Sequence, residues 1–458
     1  MNDFAGTNLI EPLARAVAEL GYSEMTPVQA ASLPAILAGR DVVVQAQTGS
    51  GKTAAFALGL LSALDASRVQ LQALVLCPTR ELADQVSREI RKLARCIPNV
   101  KVLTLCGGVP LRAHLASLAH EPHVVVGTPG RLVELMERDA LPLQALKVLV
   151  LDEADRMLDM GFADAIAAII DRLPRARQTL LFSATIPPSI RDISRRLQRE
   201  PIDITVASAT EEAPIEQRFF EVDPTEKLDA LAALLLHYRP ASAVVFCNTR
   251  QAVRDVAGEL AAREFAVLAL HGELDQRERE EMLVCFANRS CTVLVASDVA
   301  ARGLDIADLP MVINFDIAND PDTHLHRIGR TGRAGRKGLA LSLCSPQDAS
   351  RANLVEERLA EPLRWERVPA SGRGDASLPA PFVTLAIDAG RQDKLRPGDL
   401  LGALTGEAGL PATAVGKIDV FPTRTYVAIA RDWQQKALAR LRAGKIKGRN
   451  FRIRRLGS

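Results

Sequence analysis

The feature that most limits the fold is an alternation. Short apolar runs, V-V-V-Q (42–45), A-L-V-L-C (73–77), V-V-V (124–126), V-L-V-L (148–151) and T-L-L-F-S (179–183), recur with helical patterns between them. A run that is apolar at every position reads as a strand buried on both faces. Strands separated by helices imply a parallel sheet covered by helices. After a polar stretch near 207–214 the alternation restarts with A-V-V-F-C (243–247), V-L-A-L (267–270), T-V-L-V-A (292–296), M-V-I-N-F (311–315) and L-A-L-S-L (339–343). Two series with a break predict two α/β lobes, over 1–206 and 216–366, joined by a linker at 207–215. The stretch R-V-P-A-S-G-R-G-D-A-S-L-P-A-P (367–381) is rich in Pro, Gly, Ser and Ala and reads as a second linker, assigned to 367–379. Beyond it the order strand, helix, strand, strand, helix, strand predicts a small α+β domain over 380–458.

Charge is unevenly spread. From Leu378 to Ser458 there are fifteen Lys/Arg against six Asp/Glu, a net +9, whereas the whole chain carries only +2, which leaves −7 for the rest. A basic appendage on a mildly acidic body suits a polyanion. A solvated helix face or an anionic membrane surface are the alternatives. The seven cysteines are scattered without a C-x-x-C pair, which suggests reduced thiols in a cytoplasmic protein. The start, M-N-D-F-A-G, has no basic and apolar leader pattern, and no apolar stretch is long enough to span a bilayer. His114, His120, His123 and His237 have no acid or cysteine at metal-ligand spacing, so they read as core or surface residues and no zinc is expected.

Two stretches carry chemistry. The strand at 148–151 runs straight into Asp152, Glu153 and Asp155. Carboxylates at the edge of a core are rarely left without a cation, a cationic side chain or a reacting group, because an unpaired buried charge is costly; a strand that exits into a solvated acidic turn is the alternative. The second stretch, A-Q-T-G-S-G-K-T (46–53), follows the strand V-V-V-Q. In such a turn Gln47, Thr48, Gly49, Ser50 and Gly51 point backbone N–H groups at a phosphate chain, and the helix that begins there adds its positive end. Lys52 would reach the outer phosphates of ATP and the Thr53 hydroxyl would bind Mg²⁺. Ala46 stands where the usual pattern has its first glycine. Asp152 then fits a second Mg²⁺-holding group, acting through water, and Glu153 fits a residue that orients or deprotonates the attacking water. Asp155 falls outside that pair and is expected to fix local structure.

With D-E-A-D at 152–155 the chain resembles the DEAD-box RNA helicases, and ordered motifs extend the resemblance over roughly 4–365. G-Y-S-E-M-T-P-V-Q (21–29), including Tyr22, resembles the adenine-reading motif, with Gln29 bonding the base and the upstream Phe4 stacking on it. P-T-R-E-L (78–82), Gly107–Gly108 and T-P-G-R (128–131) resemble RNA-contact motifs, which implies such roles for Arg80, Gly108, Thr128 and Arg131. S-A-T (183–185) resembles the motif that couples ATP turnover to strand separation, through Ser183 and Thr185. In the second lobe V-F-C-N-T-R (245–250), H-G-E-L-D-Q-R-E-R (271–279), A-S-D-V-A-A-R-G-L-D (296–305) and H-R-I-G-R-T-G-R (326–333) match as well. They imply RNA contacts at Gly272 and Ser297, a ribose contact at Asp305 and coupling at His326. Ser297 stands where the family usually has Thr and keeps the hydroxyl. Arg330 and Arg333 then look like arginine fingers, each acting only when the lobes close and contributing about 10³–10⁵ in rate. The fold implied is two RecA-like parallel-sheet lobes.

Residues 380–458 resemble the C-terminal RNA-binding domain of the DbpA-type branch, through I-D-A-G-R-Q-D-K-L-R-P-G-D-L-L-G-A-L-T-G (387–406) and V-G-K-I-D-V-F (415–421). An RNA-recognition-like fold is implied, yet the third strand, T-Y-V-A-I-A, has Tyr426 as its only aromatic. Recognition is therefore expected from Arg391, Lys394, Arg396, Lys445, Lys447, Arg449 and Arg452 and not from base stacking. The resemblance implies RNA as partner, a 23S ribosomal RNA hairpin as target and a role on the precursor large ribosomal subunit. An RNA-dependent ATPase that separates duplexes locally is the leading reading. An ATP-gated RNA clamp and a DNA translocase are the alternatives.

Overall fold

In the computed structural model, residues 3–47, 49–206, 215–301, 309–332, 337–359, 361–369, 377–406 and 409–456 are described. Thr48, Asp305, Arg333 and most of the first linker lie outside them. The first lobe holds β1 (Val42–Gln45), β2 (Ala73–Leu76), β3 (Val102–Leu105), β4 (Val124–Gly127), β5 (Val148–Asp152), β6 (Gln178–Ser183) and β7 (Ile202–Thr205). They form one parallel sheet in the order β3-β4-β2-β5-β6-β1-β7. The central strands are buried on both faces, as their unbroken apolar runs require. The helix Lys52–Ser62 is buried along most of its length, and its Phe56 ring meets Phe182 of β6 at 5.3 Å.

The second lobe repeats the plan. β8 (Glu216–Glu221), β9 (Ala243–Cys247), β10 (Val267–Leu270), β11 (Val293–Ser297), β12 (Met311–Asn314), β13 (Leu339–Cys344) and β14 (Trp365–Glu366) form a parallel sheet in the order β10-β11-β9-β12-β13-β8-β14. Each strand thus takes the place in its sheet that the strand seven numbers earlier takes in the first lobe. Four strands were not legible as apolar runs: β3, β7, β8 and β14. They lie at or next to a sheet margin, where one face meets solvent and polar residues intrude, as in I-D-I-T and E-Q-R-F-F-E.

The C-terminal domain is antiparallel, with β15 (Phe382–Ile387), β16 (Val415–Val420), β17 (Thr425–Ala430) and β18 (Ile453–Arg455) in the order β16-β17-β15-β18. Helices Pro397–Thr405 and Gln434–Ala443 cover one face, packing Leu400, Leu404, Ala437 and Leu441 on Leu385, Ile387, Val427 and Ile429. The architecture is the one read from the sequence: two RecA-like lobes and a small α+β domain. No described helix is long and apolar enough to cross a membrane.

Candidate functional site

The strand order puts β5, β6 and β1 side by side, so the segments that follow them converge at one edge of the first sheet. After β1, Gly49 and Gly51 take φ of 88° and 95°, the left-handed region. A Cβ on Gly51 would also fall 2.7 Å from Gln29 Nε2 and 2.8 Å from Thr26 Oγ1. Gln29 ties this turn to the upstream motif: its Oε1 accepts from Thr26 N at 2.9 Å and its Nε2 donates to Gly51 O at 3.1 Å. Ser50 Oγ donates to Gln47 O at 2.7 Å, and Lys52 Nζ to Ala46 O at 2.8 Å. Phe4 is buried beside Tyr22, ring centroids 6.3 Å apart, and the Tyr22 hydroxyl donates to Glu89 at 2.6 Å.

Lys52 and Asp152 are both buried. Burial pushes the Asp152 carboxyl up to about 7, while the Lys52 ammonium pulls it down and Glu153 pushes it further up. A carboxylate in that position suits a cation, and with the Thr53 hydroxyl in the first helical turn the donor set is all oxygen, as a hard divalent ion takes. The residues fit Mg²⁺. Glu153 stands at φ 53°, ψ 53°, rare for a residue with a side chain. Its carboxylate accepts from Arg156 Nη1 at 2.9 Å in an ion pair with both side chains 5% exposed. Asp155 does fix local structure. Its Oδ2 accepts from both N and Oγ1 of Thr185 at 2.9 Å, and its own N–H reaches Ser183 Oγ at 3.1 Å. Burial raises its pKa, but the Thr185 bonds prevail and hold it below the ordinary value.

In the second lobe β8 occupies the place of β1, and the helix Lys227–Tyr238 that follows it also begins with a buried lysine. Here the ammonium is neutralised. Lys227 Nζ lies 2.9 Å from Asp348 Oδ2 and 3.7 Å from Asp316 Oδ1, and donates to Phe315 O at 3.1 Å. Arg327 is 2% exposed and binds both Asp298 oxygens, at 2.6 and 2.7 Å, Asn248 Oδ1 at 2.7 Å and Asp316 O at 2.7 Å. One guanidinium thus pins three of the second-lobe motifs. Arg330, next to it, is buried, His326 is half-buried on the helix Pro321–Ile328, and Ser297 ends β11. Sequence reasoning missed Arg156, Arg327 and Lys227. The first two stand inside or beside quoted motifs. Lys227 shows its meaning only once β1 and β8 are superposed in topology.

The first-lobe segments that resemble RNA-contact motifs adjoin one another. Gly107 N donates to Thr128 Oγ1 at 3.4 Å, and Arg131 Nη1 to Val109 O at 2.8 Å. Arg80 lies 3.7 Å from Asp84. A Cβ on Gly272 would meet nothing within 4 Å, so no packing in this chain requires glycine there.

In the C-terminal domain Arg391, Lys394, Arg396, Lys445, Lys447, Arg449 and Arg452 are all exposed. β15 ends where β18 begins, so the turn 391–396 and the segment 445–452 share one edge. Lys447 Nζ joins them, donating to Lys394 O at 3.0 Å. The sheet face opposite the helices is covered by the second lobe's helix Gln276–Ala287. Ala386, Tyr426 and Leu456 pack with Val284 and Cys285. Thr384 Oγ1 exchanges bonds with Asn288 at 2.8 and 3.1 Å, Glu281 pairs with Arg424 and Arg454, and Tyr426 is fully buried. Tyr426, the aromatic of the third strand, is spent on an intramolecular contact.

Residues 26–193 match the DEAD/DEAH box helicase family, 226–335 the helicase conserved C-terminal domain and 384–455 the DbpA RNA binding domain. The chain is 54% identical to the ATP-dependent RNA helicase DbpA of Escherichia coli, over the full length of both. It is 43% identical to the DEAD-box ATP-dependent RNA helicase CshA of Bacillus cereus, over 78% of this chain and 68% of that one. Among solved structures it resembles S. cerevisiae Dbp5 bound to RNA and ADP BeF3, with a TM-score of 0.71 and 27% identity over 80% of this chain and 96% of that one. The chain therefore belongs to the DEAD-box ATP-dependent RNA helicases and carries a DbpA RNA-binding domain.

Proposed function

We propose that this helicase hydrolyses ATP at the edge of β5, β6 and β1, separates short RNA duplexes locally, and is directed by its C-terminal domain to a 23S ribosomal RNA hairpin during assembly of the large ribosomal subunit in the cytoplasm. The observation that carries the first part is the pair of carboxylates after β5, each locked to a different partner. Arg156 aims Glu153, and Thr185 engages Asp155. Lys52 and the N–H groups of 47–51 bind the phosphates, and Gln29, Tyr22 and Phe4 bind the base. Thr53 and Asp152 would hold Mg²⁺, which supplies charge neutralisation at the phosphates. Glu153 orients the attacking water and takes its proton. Asp155 passes a change at the phosphate edge to Thr185, to which two hydrogen bonds join it directly. Arg330 and Arg333 stabilise charge on the transferring phosphoryl group, Asp305 binds the ribose, and His326 couples. Arg80, Gly108, Thr128, Arg131, Gly272 and Ser297 grip phosphate and 2′-OH groups, which favours RNA over DNA with little base preference.

The test of the enzymatic reading is Glu153→Gln in the full chain. It is expected to bind RNA in the presence of ATP but to lose about 10²–10⁴ in turnover. Unwinding cycles equal to the parent's would overturn it in favour of an ATP-gated clamp. For the targeting reading, replacing Lys394, Lys447 and Arg449 by Ala is expected to abolish the preference for a 23S hairpin fragment over unrelated RNA. Each lost phosphate contact should also reduce the salt slope of binding by about 0.7–0.9. An unchanged preference would remove the tether.

A further inference from the structure

Arg131 is held on three sides. Its Nε lies 3.0 Å from Glu134 Oε2, and its Nη1 donates to Val109 O at 2.8 Å and stands 2.8 Å from His114 Nδ1. A guanidinium has donors only, so His114 Nδ1 must offer a lone pair, and the single proton of the neutral ring sits on Nε2. His114 is the fourth residue of the helix Leu111–Leu118, which begins three residues after Gly108. It is 5% exposed. The same guanidinium therefore ties that turn, the T-P-G-R helix Pro129–Glu137 and His114 into one block, with Gly107 N on Thr128 Oγ1 as a further tie.

We propose that His114 is a positioning residue for RNA binding: its neutral ring fixes Arg131 and the Gly107–Val109 turn in the arrangement that grips RNA phosphates, and protonation of the ring releases them. This rests on reading Gly108, Thr128 and Arg131 as RNA contacts. A second ring proton would occupy Nδ1, replace an acceptor by a donor and set two cations at contact distance. The charged groups facing His114 are Arg131 and Glu134 on Pro129–Glu137 and Arg80 on the helix Arg80–Leu93, itself beside Asp84. Burial, then Arg131 and Arg80, lower the imidazole pKa, and Glu134 opposes them. The ring is thus neutral at pH 7 and takes its proton only below the ordinary imidazole range. RNA affinity should fall there. His114 does not touch the phosphate edge of β1 and β5, whose own Asp152 carboxyl stands at about 7 and moves kcat with pH alike in the parent and in the His114 variants.

The experiment is RNA-stimulated ATPase of the full chain with a single-stranded RNA oligonucleotide, fitted for KM of RNA and kcat from about pH 7.5 to 5.5. His114→Leu is expected to raise KM for RNA about tenfold at neutral pH, with the change in KM and not in kcat. His114→Asn, whose Oδ1 takes the place of Nδ1 and does not titrate, is expected to restore KM and to lose the acid rise that the parent displays. A parent-like KM in His114→Leu, or an acid rise in His114→Asn equal to the parent's, would overturn the proposal. Should His114→Leu melt early, the His114→Asn profile decides alone. Arg131→Ala separates the two levels: if it too leaves KM unchanged, the RNA-contact reading has failed, whereas a raised KM there with a silent His114 discards only the positioning role.

Discussion

Lys52 and Lys227 occupy the same place in two sheets of the same strand order, each opening the helix after the sixth strand across and each buried. Their partners differ. Lys52 bonds a neutral carbonyl and acts on a carboxyl that burial has pushed to about 7, so its charge is left for a polyanion. Lys227 faces Asp348 and Asp316 and is neutralised by its own lobe. The segment between strand and lysine differs in the same sense. A-Q-T-G-S-G in the first lobe turns through two left-handed glycines, and V-D-P-T-E in the second closes on Asp223, which accepts from Thr225 N at 2.9 Å. One topology thus yields a ligand site or a structural brace, depending on whether the positive charge has an internal counterion.

The sharpest test exchanges the two lysines for alanine. Lys52→Ala should lower ATP turnover by at least about 10²-fold without shifting the melting temperature, because a preorganised charge at the phosphates is lost. Lys227→Ala should destabilise by about 3–5 kcal/mol, since it strands a buried carboxylate, with nucleotide affinity of the folded protein intact. A stable Lys227→Ala protein would break the comparison. Next in size is Arg156→Lys, which keeps the charge near Glu153 but loses the planar fork. It should cost about tenfold in kcat, read in steady-state ATPase assays. Gly272→Ala is smaller. With open space at its Cβ it should leave the melting temperature unchanged or raise stability by about 0.4–1 kcal/mol, while RNA affinity falls severalfold. The smallest effect is on acid stability. Asp155 and Asp348 both have pKa values below the ordinary carboxylate, so each stabilises the fold above that value, and the contribution disappears as pH falls through the lowered one. Acid melts of Asp155→Asn and Asp348→Asn should be flatter below about pH 4 than the parent's.

Central strands and phosphate loop were legible because burial on two faces and a backbone turned toward phosphate leave local marks: V-L-V-L before Asp152, two glycines before Lys52. The marginal strands were not, because a half-exposed strand such as I-D-I-T carries no unbroken apolar run. The partners of the site residues were legible only in part. Arg156 stands three residues from Glu153, but nothing local in R-A-H (112–114) or T-P-G-R announces that His114 meets Arg131, or that Tyr426 will lie under the helix Gln276–Ala287. Those contacts span 17 and roughly 140 residues of chain, and only the assembled fold creates them.

The cover over Tyr426 has a practical consequence for anyone who edits this molecule. Cutting the chain at the second linker does not simply unhitch a passenger: it bares Val284 and Cys285 and takes from Asn288, Glu280 and Glu281 their partners in the C-terminal domain. A chimaera carrying a foreign RNA-binding module would inherit the same bare flank. The surgery that leaves the stump healthed is a repaint of Val284 and its acidic neighbours together with the graft, and solubility of the shortened chain with and without that repaint is the measure of it.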